Sequence, residues 1–210
     1  MADVLEGMLR AAVDALNAGY RTRIDDAKRL DDCLDALNKA VRLYLSEIDL
    51  DAMDADDENR LAAILTFATN LEHAGDILDR NVMSIASRRL KRGLAFSKEG
   101  RDEIDTALAR LEVNLRTAAT IFMSSDIRAA RVLAQEKTGF RELEDAASRA
   151  HFRRLREGNV VSSETSSLHL DLLRDLKRVN AHLIEGAAYP LLQQRGELRS
   201  TRLKKDVGKT

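Results

Sequence analysis

Apolar residues recur at steps of three and four along most of the chain, which is the spacing of one face of an α-helix. Turn or polar signals, among them Gly19, Gly93 and Gly158, separate six such segments. The six apolar stripes run from Leu5 to Leu16, Leu30 to Ile48, Leu61 to Ala86, Ile104 to Phe122, Val132 to Leu155 and Leu170 to Ala187. This pattern predicts six helices, with Ser97 as the N-cap of the fourth and Pro190 at the end of the sixth.

The two halves of the chain are similar to each other. A shift of 105 positions places Leu71 on Leu176, and a shift of 110 positions places Leu30 on Phe140. Chance agreement is the alternative, because the stripes of any two amphipathic helices match easily. We interpret the matches as a duplication and expect an all-α fold of two tandem three-helix bundles. The expected units are residues 1–93, residues 94–194 and a basic tail over residues 195–210.

The composition supports a helical, folded protein. One Pro and ten Gly among 210 residues leave few helix breakers, and a hydrophobic fraction of 44% is too high for a disordered polyelectrolyte. Lys and Arg number 34 against 35 Asp and Glu, so no basic excess is present to neutralise a phosphate backbone. We therefore exclude nucleic acid as a principal partner.

The sequence also indicates where the chain resides. Cys33 is the only cysteine, so neither an internal disulfide nor a cysteine-based metal site can form, which fits a reducing compartment. The N-terminus carries acidic residues where a signal peptide would be basic. The most apolar run, Leu61 to Leu71, is about half the roughly 20 residues that cross a bilayer. We expect a cytoplasmic chain without a membrane span.

Two pairs of acidic residues are the strongest candidates for a binding site. Asp31 and Asp35 lie four positions apart on the predicted second helix, and Glu72 and Asp76 do so on the third. Residues at this spacing share a helix face, so each pair can direct its carboxylates at one cation. If the two faces meet, four oxygen donors converge. The alternative is that both pairs are solvated acidic surface.

The second half does not repeat these acids. The corresponding positions carry Arg141 and Asp145 for the first pair, and Lys177 and Ala181 for the second. Lys and Arg repel a cation and would instead form salt bridges or bind an anion. We therefore expect any metal site in the first repeat alone.

Two segments carry a resemblance to a known family. The PhoU phosphate-uptake regulators have the signature Leu-Glu-Arg-Ile-Gly-Asp, which is similar to Leu71-Glu72-His73-Ala74-Gly75-Asp76 here. The segment from Glu164 to His182 is similar to the PhoU-like cytosolic domain of bacterial sodium/phosphate cotransporters. The resemblance covers about Ala2 to Leu192 and is weakest in the first helix.

The resemblance implies two tandem three-helix bundles and metal clusters bound through acidic motifs of the form Glu/Asp-x-x-x-Asp. Asp31, Asp35, Glu72 and Asp76 match that pattern. His73 departs from the six-residue signature of the regulators, which usually have Arg at this position. The choice among iron, zinc, manganese and magnesium stays open.

The function that the resemblance implies is regulation of phosphate uptake, through contacts with a membrane phosphate transporter on the same chain or on a separate one. The sequence shows no Glu-x-x-His motif and no Gly-rich phosphate loop, so we expect no enzyme activity. A helical adaptor or scaffold without metal, acting through oligomerisation, is the alternative, and a metal-dependent enzyme is a third hypothesis. The basic tail would contact anionic lipid if the domain lies at the inner face of the membrane.

Overall fold

The computed structural model describes residues 1–17, 20–49, 53–199 and 202–203, and nearly all of them are helical. The helices are α1 (Ala2–Asn17), α2 (Thr22–Ser46), α3 (Ala55–Asp76), α4 (Ser84–Lys91), α5 (Lys98–Ser124), α6 (Ile127–Arg156), α7 (Val160–Glu164) and α8 (Ser166–Gln194). A π-helical segment, Ile77–Met83, joins α3 to α4 without a break. Two strands of two residues each, β1 (Leu198–Arg199) and β2 (Arg202–Leu203), pair antiparallel after α8. The predicted all-α class is confirmed.

Polar caps and special backbone conformations set the helix ends where the sequence placed them. Ser97 accepts a hydrogen bond from the Gly100 amide at the start of α5. Asp126 caps α6 in the same way, directly after Ser125, whose φ of 54° ends α5. Gly93 and Gly158 have φ values of 64° and 77°, which glycine adopts without strain.

The helices pack as two groups that share one hydrophobic core. In the first half, α1, α2 and α3 pack together, and in the second half α8 packs against α5 and α6. The halves meet where α3 lies along α8 and α1 lies along α5. The buried apolar residues of both halves form one continuous cluster. The unit boundary after residue 93 stays a prediction.

The buried face of α2 differs from the predicted stripe. Cys33, Leu37 and Tyr44 of that stripe are exposed. Asp31 and Asn38, which are polar, are buried instead, together with Leu34. The predicted stripe was right for Leu34 and Leu45, which are buried, and wrong for the exposed residues, because helical periodicity alone does not show that polar groups on a neighbouring face pack inward.

The last helix continues beyond its predicted end. We expected it to end at Pro190, but α8 includes that residue and runs to Gln194. Proline in a helix interior removes one backbone hydrogen bond and costs about 3 kcal/mol. Leu192 is fully buried and Leu191 packs against the core, so the burial of the final turn offsets this cost.

The segment that follows α8 is held against α6 by an ion pair. Arg131 on α6 donates two hydrogen bonds, of 2.8 and 2.7 Å, to the carboxylate of Glu197. Most of the predicted basic tail, residues 200–201 and 204–210, lies outside the described residues. Over the described ranges, none of the helices combines the length and hydropathy that crossing a membrane requires.

Candidate metal centre

Three of the four predicted ligands meet where α2 packs against the end of α3. Asp31 and Asp35 lie one turn apart on α2, and Asp76 is the last residue of α3. Each offers a carboxylate oxygen, and these oxygens all lie within 4.8 Å of one another. Asp31 is buried, Asp76 is half-buried and Asp35 is exposed, so the group opens to solvent on one side.

Gly75 allows the two helices to approach at this point. A Cβ atom at position 75 would overlap Leu34 Cδ2 and would lie 3.3 Å from Asp31 Oδ1 and 3.5 Å from Met8 Sδ. The glycine of the Leu71–Asp76 segment therefore makes room for Asp31 itself. The same segment supplies Asp76 one residue later, so close packing and ligand supply come from adjacent positions.

The carboxylates repel one another in a partly desolvated site. Burial first, and then the charges of Asp79, Asp35 and Asp76, together raise the pKa of Asp31 to about 6, although the charge of Arg80 opposes them. Burial also raises the pKa of Asp79, against the opposing charges of Lys28 and Arg80. The site therefore concentrates negative charge that the described residues do not neutralise fully.

Two buried carboxylate oxygens lack a hydrogen-bond donor. Asp31 Oδ1 has no hydrogen-bond partner among the described residues, although Asp31 is only 7% exposed. Asp76 Oδ1 also has none there: the Arg80 Nη2 atom lies 2.8 Å away, but outside hydrogen-bond geometry. Buried polar groups are normally satisfied, and a hard cation would supply what these oxygens lack. The residues present thus fit an oxygen-coordinated metal ion.

Glu72, the fourth predicted ligand, does not belong to this group of three. Its Oε2 atom lies 3.6 Å from Nε2 of the neighbouring His73. Asp79, which the sequence analysis missed, is near enough to raise the pKa of Asp31. The signal was available, because Asp79 follows Asp76 by three positions and so shares its helix face.

The second half carries an ion pair at one of the corresponding positions. Lys177 donates a hydrogen bond to Glu144 on α6. Arg141 lines a cleft of about 960 Å³ between α6 and α8. The basic residues thus occupy the second half as the sequence comparison indicated, with at least one of them held by a carboxylate.

Comparisons with known proteins agree with the fold. Residues 1–85 match the family model described as the PhoU domain. The structure superposes on the crystal structure of PhoU from Pseudomonas aeruginosa with a TM-score of 0.81, at 20% identity, and the match covers 93% of this chain and 92% of that one. This likeness shows that the fold is shared over nearly the whole chain.

Longer relatives are also similar in sequence. A protein of Salmonella typhimurium LT2 named "Putative inorganic phosphate export protein YjbB" is 38% identical over 192 residues, which are 91% of this chain and 35% of that protein. The protein of the same name in Escherichia coli K12 is 36% identical over 195 residues, which are 93% of this chain and 36% of that protein. The chain thus spans about a third of the length of these relatives.

Proposed function

We propose that this chain, which carries a PhoU domain in residues 1–85, is a non-catalytic regulatory domain of phosphate homeostasis that responds to a bound metal ion. Two observations on one residue carry this proposal: Asp31 has a buried carboxylate oxygen without a hydrogen-bond partner among the described residues, and Asp31, Asp35 and Asp76 each place a carboxylate oxygen within 4.8 Å of the others. A site of this kind stores repulsion when it is empty and is relieved when a cation binds.

The ligand chemistry favours a hard cation. All three ligands are carboxylates, which suit magnesium, manganese or ferric iron, whereas zinc sites usually include cysteine or histidine. His73, the histidine nearest in sequence, contacts Glu72 and is not one of the three. We therefore rank magnesium and manganese before zinc.

A bound cation would act on the geometry of the first half. Asp31 and Asp35 belong to α2, and Asp76 belongs to α3 where the π-helical segment begins. A cation held by all three ties α2 to that junction, and an ion that binds one arrangement more tightly than another shifts the population towards it. In the cell, the surface that changes would contact a membrane phosphate transporter from the cytoplasmic side.

The metal part of the proposal is tested by titration of the purified, chelator-treated protein with manganese or magnesium. We expect one saturable site that is lost in Asp31→Asn and Asp35→Asn. Asp25→Asn, on the exposed first turn of α2, removes the same charge outside the cluster and should bind as the unchanged protein does. Equal binding by all three variants, or no binding at all, would leave the metal-free adaptor as the better hypothesis.

The regulatory part requires a whole transporter. The chain aligns over 195 residues of the Escherichia coli relative, so it can replace the matching segment of that protein. We expect the chimera to change phosphate efflux from cells, and Asp31→Asn in the chimera to alter that change. Efflux that is identical with and without the segment would contradict the regulatory role.

A further inference from the structure

A basic groove runs between the π-helical segment and α8. It consists of two adjoining clefts of about 340 and 400 Å³, which share Arg80, Asn81 and Arg178 on their walls. The groove therefore lies where the first half of the molecule meets the second. π-Helical turns are rare in proteins, and those that occur often lie at functional sites.

Four guanidinium groups line this groove, those of Arg80, Arg88, Arg174 and Arg178. Three carboxylates accompany them, those of Asp76, Asp171 and Asp175. Four positive charges against three negative ones leave a cationic groove. Asn81 and Ser84 add neutral hydrogen-bond donors to its wall.

The ion pairs on α8 leave donors available to a ligand. Arg174 Nη2 lies 3.0 Å from Asp171, and Arg178 Nη1 lies 2.9 Å from Asp175. Each is a pair within one helix, and the two arginine side chains are 57% and 52% exposed, so these pairs are weak. A guanidinium has five N–H donors, and a carboxylate oxygen occupies one of them here. Arg88 has no carboxylate partner among the described residues.

Arg80 connects the groove with the acidic cluster. Its Nη2 atom lies 2.8 Å from Asp76 Oδ1, while its side chain is 66% exposed and lines both clefts. Its charge also lowers the pKa of Asp31 and of Asp79. Arg80 is thus held towards the carboxylates by its ion pair with Asp76.

We propose that this groove binds a phosphate group and that a cation in the acidic cluster strengthens the binding by repelling Arg80 from Asp76 into the groove. Arg80, Arg88 and Arg178 would hold the phosphate oxygens, because guanidinium groups bind phosphate by paired hydrogen bonds. The coupling is reciprocal, so phosphate also tightens cation binding. The coupling rests on the proposed metal site, whereas the groove does not.

The experiment separates these two steps by removing the carboxylate instead of adding the cation. Inorganic phosphate is titrated into the chelator-treated full chain by calorimetry, and the dissociation constant is compared among variants. Arg178→Gln should weaken binding about tenfold, since it removes a charged donor. Arg10→Gln, an exposed arginine paired with Glu6 at 2.6 Å, removes the same charge elsewhere and should leave binding unchanged.

The coupling is tested with Asp76→Asn, which releases Arg80 without any metal. We expect phosphate to bind about fivefold more tightly in this variant, which is the low end of typical coupling between sites. Asp79→Asn removes the same charge from the same face, has no ion pair with Arg80, and should have a smaller effect. Compared with Arg80→Gln alone, the double variant Asp76→Asn with Arg80→Gln should show no gain in phosphate affinity.

Each outcome decides one part of the proposal. No saturable phosphate binding in the millimolar range, or binding that Arg178→Gln leaves unchanged, would overturn the groove. A gain that persists without Arg80 would overturn the coupling, because it would come from long-range charge alone. Neither result affects manganese binding at Asp31 and Asp35, so the proposed function is judged separately.

A second arm identifies the source of the phosphate group. Vesicles with and without phosphatidylglycerol are sedimented with the same variants. Binding of inorganic phosphate with no vesicle binding supports a free phosphate ligand. Vesicle binding that Arg178→Gln and Arg88→Gln weaken supports a lipid headgroup, and vesicle binding that neither variant changes counts against the groove as the contact.

Discussion

Asp31 carries an ionisable side chain in a site that disfavours its charged form. The residue is 7% exposed, and one of its carboxylate oxygens has no hydrogen-bond partner among the described residues. The sequence could predict that Asp31 and Asp35 share a helix face, because the spacing determines that. It could not predict that Asp31 is buried, since burial follows from Gly75 letting α3 approach α2.

The first prediction concerns the pH dependence of stability in the metal-free protein. Folding raises the pKa of Asp31 from 3.8 to about 6. The protonated form therefore favours folding, and this contribution is complete below a pH of about 4 and is lost as the pH rises through about 6. Asp31→Asn should thus be more stable than the unchanged protein at pH 7.5, by on the order of 2 to 3 kcal/mol, measured by urea unfolding.

The unchanged protein and Asp31→Asn must be compared at each pH, because histidines also contribute to the pH dependence of stability near pH 6. Burial lowers the pKa of His151 and His182, so their contribution is lost as the pH falls below about 6.5. These groups are the same in both proteins and cancel in the difference. A difference that does not grow between pH 4 and pH 7 would contradict the assignment to Asp31. Added magnesium should stabilise the unchanged protein and not the variant.

The second prediction is that Gly75→Ala destabilises the protein and weakens metal binding together. The new methyl group would overlap Leu34 Cδ2 and crowd Asp31, and overpacking of this kind typically costs about 1 to 3 kcal/mol. Gly7→Ala is the matched control, since its Cβ would meet only the flexible end of Leu30, at 3.2 Å. Chemical unfolding and manganese titration of both variants measure the effect. Unchanged metal affinity in Gly75→Ala would show that the cluster does not depend on this close approach.

At the scale of elements, a buried ionic network connects three helices of the second half. Arg154 on α6 donates two hydrogen bonds, of 2.8 and 3.0 Å, to Glu103 on α5. His169 on α8 lies 2.9 Å from the same carboxylate, and its ring stacks on His151 at 5.0 Å. This network could not be predicted from the sequence, because its members lie on separate helices and show no common spacing.

The third prediction compares this buried pair with an exposed one of the same geometry. Glu103→Ala leaves Arg154 buried without its carboxylate and should cost about 3 to 5 kcal/mol of unfolding free energy. Glu197→Ala removes the carboxylate that Arg131 binds through two hydrogen bonds near the surface, and should cost less than about 1 kcal/mol. Denaturant unfolding of both variants gives the two values. Similar losses would mean that burial does not set the strength of these pairs.

The sequence predicted where the helices lie, but it did not predict where they depart from regular α-helical geometry. Six apolar stripes and their caps located the helices, because burial on one face demands that periodicity. The π-helical segment Ile77–Met83 and the passage through Pro190 depend on packing between helices. Neither leaves a pattern in the local sequence, yet the first of them carries Arg80, which lines the basic groove and pairs with Asp76 of the acidic cluster.

At the scale of the whole molecule, the contact between the halves is built from apolar and aromatic groups. Phe67 on α3 stacks on Phe122 of α5, with ring centroids 4.4 Å apart. Arg60 lies over the Phe122 ring at 4.5 Å and donates a hydrogen bond to its carbonyl. Gly186 lets α8 approach Phe67 and Asn70 closely. The two halves are therefore joined by directly packed groups, through which the proposed effect of a cation in the first half would reach the second.

The fourth prediction is that both halves unfold in one transition, although the sequence reads as two repeats. The buried residues form one cluster, so opening one half exposes the apolar surface of the other. Leu34→Ala on α2 and Leu133→Ala on α6 remove fully packed side chains from opposite groups of helices. Each should lower the midpoint of the same calorimetric transition, by roughly 5 to 15 °C for a loss of 2 to 5 kcal/mol. Two transitions, each moved by only one of the variants, would instead show that the repeats are independent domains, and coupling between the acidic cluster and α8 would then need a route other than the shared core.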